Sequence, residues 1–366
     1  MKPITIRPRA AADLVAVCAF ISILFGASCS TESRGPLETP SIGNPVITRV
    51  ENQDINSYTV SLDQGTYLAL AVEQFDVDVI TEAFAPDWAM LGEFDTPTSG
   101  RGTEHVRIGA EVAGDYRIDI LTLSDRAEPG EYKLSITAYR PMTESDKRAL
   151  EAVRVHQEAD KLRAKSETRV ASIPLYERAL QIWRDLGEKT EEANVLRAMG
   201  FAYQRSDDLD KAWEHFGKAL EIWENTGDLR SAAFTHVIFG VISKKRNDLQ
   251  GGLDHDLMAL PLWEQAGDMQ EYTQNLVRIG NDHIKLQNNS EALTYFQKAL
   301  DYSQRSGKKS IEAYVRSECG NAQVTVGNKA EALKFYRESL EIWKSLNQEK
   351  AAAGVEEKIA KLTASS

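Results

Sequence analysis

Chemistry in this sequence would have to come from a short set of side chains, and their spacing argues against most of it. Cys319 is a thiol nucleophile by type. It stands directly before Gly320, where Met199, Phe239 and Ile279 stand at the matching positions, so it reads as a small buried hydrophobe. Among six histidines, His236 and His283 occupy positions that match Leu196 and Tyr203, and His255 replaces an aromatic. None stands at the Cys or His spacing of a metal site. Glu73, Asp76 and Asp78 are oxygen ligands of the kind calcium takes, and on an alternating segment they read equally well as the solvated face of a strand. GxxxxGK[ST], HExxH, CxxC and GxSxG are all missing. The expectation is no catalytic constellation, no metal and no cofactor.

Other side chains recur at a fixed pitch, and that pitch shows what must position them. KALEIWENTGD, 218–228, is echoed forty residues earlier by RALQIWRDLGE and forty later by MALPLWEQAGD. Ala179, Ala219, Ala259, Ala299 and Ser339 form one column; Gly187, Gly227, Gly267, Gly307 and Asn347 form a second; Gly200, Gly240, Gly280 and Gly320 form a third. From Thr143 on, the apolar period is helical, which predicts a stack of helix pairs that bury one shared core. The Ala column and the 200–320 Gly column mark close helix approach, and the 187–307 Gly column marks left-handed helix ends. Trp183, Trp223, Trp263 and Trp343 invite a ligand-stacking role, but their period reads as core.

These columns resemble the tetratricopeptide repeat. In 192–225 the carriers are Leu196, Met199-Gly200, Tyr203, Ala212, Phe216 and Ala219; the third copy keeps Leu276, Ile279-Gly280, Ala292, Phe296 and Ala299. The repeat's usual proline is missing, and the pitch is forty instead of about thirty-four, which implies an extra helical turn. The expected organisation is a leading helix pair over 143–186, four repeats over 187–348 and a capping helix in 349–366. The resemblance implies a concave protein- or peptide-binding wall built from the first helix of each pair. By offset it comprises Asn194, Arg197, Phe201 and Gln204; Phe234, Val237, Val241 and Lys244; Gln274, Val277, Asn281 and Ile284; and Tyr314, Ser317, Asn321 and Val324. An exposed apolar wall suits a partner; the same side chains packed on a neighbouring helix would not. Arg205, Lys245 and Lys285 form a basic column, read either as dipole complements or as an anion-reading rim.

The second repeat departs from the others. Gly251-Gly252 open its second helix, Asp256 stands where Phe216 and Phe296 stand, and Pro261 lies inside. A kinked, weaker helix over 252–266 is expected.

Ahead of the helices the period is two. Nine of the eleven prolines precede residue 142, and GTYLALAVEQ, GDYRIDILTL and GEYKLSITAY each set a Gly turn before an alternating strand. Further strands are expected at Val46–Val50, Tyr58–Leu62, Val77–Ala83 and His105–Gly109. The prediction is a multidomain β plus α chain: a small antiparallel β-sandwich over 46–141, then an all-α tetratricopeptide superhelix. The sandwich resembles the pre-peptidase C-terminal type. Together with the Pro141-Met142-Thr143-Glu144-Ser145-Asp146 connection it is similar to exported bacterial proteins whose repeats lead into a CHAT-type cysteine peptidase. The sequence reaches no such domain.

Residues 1–28 have the form of an export signal: Lys2, Arg7 and Arg9, an apolar run from Leu14 to Ala27, and Gly26-Ala27-Ser28. Cys29 follows as in the lipobox of bacterial lipoproteins, with Gly26 where Leu is usual, and 29–45 reads as a flexible tether. Removing 1–28 takes three positive charges and Asp13, which moves the net charge from −12 to −14. An acidic chain repels phosphate backbones, so nucleic acid is not an expected partner. The sequence thus predicts a non-enzymatic scaffold on the periplasmic side of a bacterial envelope. It would be tethered through Cys29, bind a protein or peptide, and take no small-molecule substrate. The alternative is an accessory module of a separately encoded CHAT-type peptidase.

Overall fold

The computed structural model describes residues 6–8, 43–50, 55–75, 77–95, 102–122 and 130–364. The export-signal core, Cys29 and Asp76 lie outside these. The chain divides into two compact units, 1–202 and 203–366.

In the first unit the described strands are β1 (Ile6–Pro8), β2 (Val46–Val50), β3 (Ile55–Leu62), β4 (Thr66–Phe75), β5 (Ile80–Phe84), β6 (Met90–Phe94), β7 (Thr103–Gly109), β8 (Gly114–Leu121) and β9 (Gly130–Pro141). They form two antiparallel sheets, ordered β1-β3-β8-β5-β6 and β2-β9-β4-β7. Alternation explains the layering. Val106 and Ile108 of β7, Tyr116, Ile118 and Ile120 of β8, and Tyr132, Leu134 and Ile136 of β9 all point into one core. At its centre the Tyr58 and Tyr132 hydroxyls lie 2.7 Å apart.

Two strands differ from expectation. The segment expected over Val77–Ala83 pairs only from Ile80 onward, because Val77 to Val79 turn into the strand. Strand β6 was not foreseen: Met90 and Leu91 face outward on an edge, so no alternation marks it. Its Gly92 allows a helix to lie against it, since a Cβ there would fall 2.6 Å from Nε2 of Gln157.

That helix is α1 (Glu144–Ala164), and its start explains the Pro141–Asp146 stretch. Thr143 caps it, accepting from the Asp146 amide at 3.2 Å, while Asp146 accepts from the Thr143 amide at 2.8 Å and from Arg140 Nη2 at 2.8 Å. Burial works to raise the Asp146 carboxyl, but the bonds from Arg140 and Thr143 hold it down at about 2. A 3₁₀ turn (Arg169–Ser172) leads to α2 (Ile173–Leu186), and α3 (Lys189–Arg205) follows.

The second unit takes the end of α3 and then α4 (Leu209–Thr226), α5 (Leu229–Lys245), α6 (Leu249–Gln265), α7 (Met269–Lys285), α8 (Asn289–Ser306), α9 (Lys309–Thr325), α10 (Lys329–Ser345) and α11 (Glu349–Ala364). These helices run sixteen to eighteen residues. Gly227, Gly267 and Gly307 adopt φ of 74°, 67° and 71° at the turns after α4, α6 and α8. A second left-handed column, unread in the sequence, falls between the helices of each pair: Asp207, Asn247, Gln287 and Gly327, at φ of 62°, 63°, 63° and 83°. The Gly column permits close approach, for a Cβ on Gly280 or Gly320 would lie 3.0 Å or 2.5 Å from the rings of Phe296 and Tyr336. Trp223 and Trp263 are buried, as is Trp183 in the first unit; Trp343, near the end of the stack, is half-buried.

Helix α6 runs unbroken from Leu249 to Gln265 with Pro261 on its exposed side, so no interruption at the proline is seen. Its glycines are part of the packing: a Cβ on Gly240 would lie 3.0 Å from the Gly252 carbonyl oxygen. Asp256, in place of the column aromatic, meets the Lys244 ammonium at 2.7 Å.

Candidate functional site

In the second unit the first-helix face is carried by α5, α7 and α9. Val241, Tyr314 and Val324 are 38%, 40% and 41% exposed, and Phe234 and Ile284 are half-buried against the core beside them. Exposed apolar side chains on α5 and α9, with half-buried Ile284 on α7 between them, are more than solvation requires. Polar positions are interleaved. Gln274 and Asn281 are half-buried, and Asn321 accepts from the Tyr336 hydroxyl at 2.8 Å while donating to Glu318 at 3.0 Å.

Three of the sequence-derived wall positions in this unit are interior. Val237, Val277 and Ser317 are 4%, 1% and 6% exposed. Their column is interior, since one residue turns a helix by about 100° and shifts a side chain from face to core. Ser317 is also engaged by Lys358 Nζ at 2.8 Å. Lys244 is on the wall but not free, because its ammonium is held at 2.7 Å by Asp256 and at 2.7 Å by Asp282. Gln204 is half-buried, while Arg205, Lys245 and Lys285 are exposed at the ends of their helices. Lys285 lies 3.8 Å from Asp282, which suits charge placed at a helix C-terminus.

Sequence reasoning missed Arg278. Its column runs Ala198, Ile238, Arg278, Glu318, so only the third first helix carries a guanidinium there. The change in that column from Ala198 and Ile238 to the charged Arg278 and Glu318 was the available signal.

The first unit treats its share of the wall differently. Asn194, Arg197 and Phe201 line a cleft of about 160 Å³ whose other walls include His105 and Arg107 of β7, His156 and Asp160 of α1, and Trp183. Arg197 is only 6% exposed, so these residues face a polar interior and not an open groove. Some charges in the cleft are paired, while burial and then Asp78 and Glu93 push the Asp95 carboxyl up to about 6. Arg107 donates to Glu191 at 2.6 Å and lies 5.0 Å over the Trp183 ring, and the Tyr176 hydroxyl donates to Asp160 at 2.6 Å. Burial pushes the His105 and His156 imidazoles down.

Cys319 is 5% exposed, and burial pushes its thiol up to about 12, which suppresses the reactive thiolate. His236 and His255 face each other with Nδ1 atoms 3.3 Å apart, beside Phe239 and Trp213. Burial, then His255, lowers His236 to about 4. Glu73 is bound by Lys133 at 2.7 Å, and burial raises Asp78. Among the described residues no group of three or more His, Cys, Asp or Glu could hold a metal ion, and no helix is long and apolar enough to cross a membrane.

Residues 170–225 and 272–345 match the family model of the tetratricopeptide repeat, so these segments are repeats of that type. No curated protein matches the chain. Among solved structures it is similar to BtubC (BKLC) from P. vanneervenii, with 15% identity and TM-score 0.40 over 56% of this chain and 93% of that one. It is also similar to a Podosopora anserina putative kinesin light chain with nearly identical TPR-like repeats, with 10% identity and TM-score 0.45 over 53% of this chain and 95% of that one. A third is aspartyl phosphate phosphatase F from Bacillus subtilis, with 13% identity and TM-score 0.42 over 61% of each chain.

Proposed function

We propose that this chain is an exported, lipid-anchored, non-enzymatic scaffold that binds a protein or peptide on the first-helix face of its repeats. The observation that carries the reading is the apolar surface on that face, where Val241 of α5 and Tyr314 and Val324 of α9 are exposed and Phe234 and Ile284 are half-buried beside them. Their burial by a partner would return the free energy that their exposure costs, about 25 cal/mol per Å². The non-enzymatic part rests on the buried Cys319, whose thiol offers no free nucleophile, and on the sequence, which carries no catalytic motif. Export and anchoring rest on the sequence of residues 1–29.

Affinity capture from envelope extracts with the full chain and with Phe234→Glu plus Val241→Glu tests the wall. The expected result is a partner that binds the parent and is lost from the variant, with the helical circular dichroism of the two unchanged. The same partner captured equally by both would reject this face. Mass spectrometry of the mature N-terminus tests the anchor: a diacylglyceryl Cys29 supports it, and an unmodified N-terminus at Cys29 or beyond removes it.

A further inference from the structure

The first sheet begins at β1, whose residues pair antiparallel with β3: Ile6 with Val60, Arg7 with Thr59 and Pro8 with Tyr58. They cover only Tyr58–Val60 of the eight-residue strand Ile55–Leu62, and Pro8 has no amide to donate. Residues 6–8 lie within the 1–28 export signal. Removing that signal leaves β3 as the outer strand of its sheet among the described residues. Yet β3 is not built as an edge. An open edge invites pairing with another strand, and natural edges are guarded by charge, proline, shortness or bulges. The other edge strands follow that rule: β6 carries Glu93 and a register shift against β5, β2 carries Arg49, and β7 carries Glu104 and Arg107. β3 reads INSYTVSL, with no charge, no proline and no glycine.

We propose that the edge vacated by residues 6–8 pairs with β3 of a second copy of this chain, joining two sheets across a two-fold axis at Thr59. This rests on the reading of residues 1–28 as a removed export signal and adds what takes their place. The register of β1 sets the parity. Tyr58, Val60 and Leu62 face the core, so an added strand must match even positions with even ones. The vacated span Tyr58–Val60 is centred on Thr59, and a two-fold there sets Tyr58 against Val60 of the second copy and Ser57 against Ser61. Core faces then meet core faces. On the outer face Thr59 meets Thr59, and hydroxyl pairs of this kind stabilise a ladder. Charge favours a second copy over an unlike partner. An uncharged strand gives a charged segment nothing to select, and it opposes no like charges when an acidic chain meets itself. The long-range field of two acidic chains still resists approach, so the dimer should tighten as salt is raised.

The test uses the chain expressed with its own signal and purified from envelopes in detergent, its N-terminus read by mass spectrometry. Thr59→Cys should give a disulfide-linked pair on non-reducing electrophoresis, because facing residues of an antiparallel pair hold their Cα atoms about 4.5–5.5 Å apart, within the span of a disulfide. Ile47→Cys, at a position 58% exposed on β2, is the control expected to stay single. The parent should sediment at twice its chain mass. Thr59→Lys, which sets two like charges opposite each other, should sediment at the chain mass with its circular dichroism unchanged. A mature chain that lacks residues 6–8, sediments at its chain mass and gives no Thr59→Cys pair would overturn the inference and leave the export reading standing. A dimer that Thr59→Lys leaves intact would place the contact elsewhere and overturn it as well. An envelope chain that still carries residues 6–8 would remove the export reading, and the vacated edge with it.

Discussion

The ammonium of Lys244 lies 2.7 Å from Oδ2 of Asp256, and this contact lets an acid occupy the column that Phe216, Phe296 and Tyr336 fill in other repeats. Asp282 completes the group at 2.7 Å from the same nitrogen. Asp256 and Asp282 are 1% and 2% exposed, so their charges depend on Lys244. Removing one member of a buried ionic group is far costlier than replacing all of it with carbon. Lys244→Met is therefore expected to cost about 3 kcal/mol in urea unfolding, and adding Asp256→Asn to it should recover part of the loss. Equal midpoints for parent and Lys244→Met would show that the triad does not hold the repeat.

Two groups of this repeat titrate in opposite directions. Burial pushes Asp256 up to about 6, with Lys244 opposing and Asp282 adding. Its unfolded value is about 3.9, so the folded state takes the proton first and its share of stability grows as pH falls through 6. His236, lowered to about 4 by burial and His255, behaves inversely. With an unfolded value of about 6.5, its share is complete above that pH and is lost as pH falls towards 4. Between pH 6 and 5 each contributes a slope of about 1 kcal/mol per pH unit, and the slopes oppose. Relative to the parent, His236→Phe should gain stability on acidification and Asp256→Asn should lose it. Urea midpoints at pH 7, 6 and 5 decide this, and three parallel profiles would refute it.

The helical half was legible because each repeat makes the same contacts as its neighbour, so the Gly, Ala and Trp columns wrote the packing into the sequence several times over. The strands after Gly65, Gly114 and Gly130 were legible for a similar reason, with each turn followed by alternation across one core. What stayed hidden involves partners that no period relates. Lys244, Asp256 and Asp282 come from three helices and compensate one another, so Asp256 alone looked like a defect. The sheet residues facing Asn194 and Arg197 lie almost ninety positions earlier, and nothing in the repeat announces them. Val237 and Val277 were misplaced because offset arithmetic locates a helical position only to within a residue or two, which decides between face and core.

Glycine separates packing from propensity within this one unit. A Cβ on Gly320 would stand 2.5 Å from the Tyr336 ring, whereas a Cβ on Gly217 of α4 meets nothing within 4 Å. Alanine is favoured over glycine in a helix by about 1 kcal/mol. Gly217→Ala should therefore stabilise by about 0.5–1 kcal/mol, while Gly320→Ala should destabilise in spite of the same propensity gain. Thermal unfolding of the two variants against the parent provides the reading, and a stabilised Gly320→Ala would contradict the close approach of α9 and α10.

The first helices also differ in how they begin. Asp228 accepts from the Ser231 amide at 3.0 Å to cap α5, and Asp268 accepts from the Glu271 amide at 3.2 Å to cap α7. At the matching position of α9 stands Lys308, which offers no side-chain acceptor and sets a positive charge at the positive end of the helix. Lys308→Asp should supply the missing bond and reverse that charge, worth about 1 kcal/mol, or about 2 to 4 °C in a unit of this size. Lys308→Ala removes the charge without adding an acceptor, so the difference between the two variants isolates the capping bond. Identical melting temperatures for Lys308→Asp and Lys308→Ala would mean that the start of α9 is held by its packing and not by its cap.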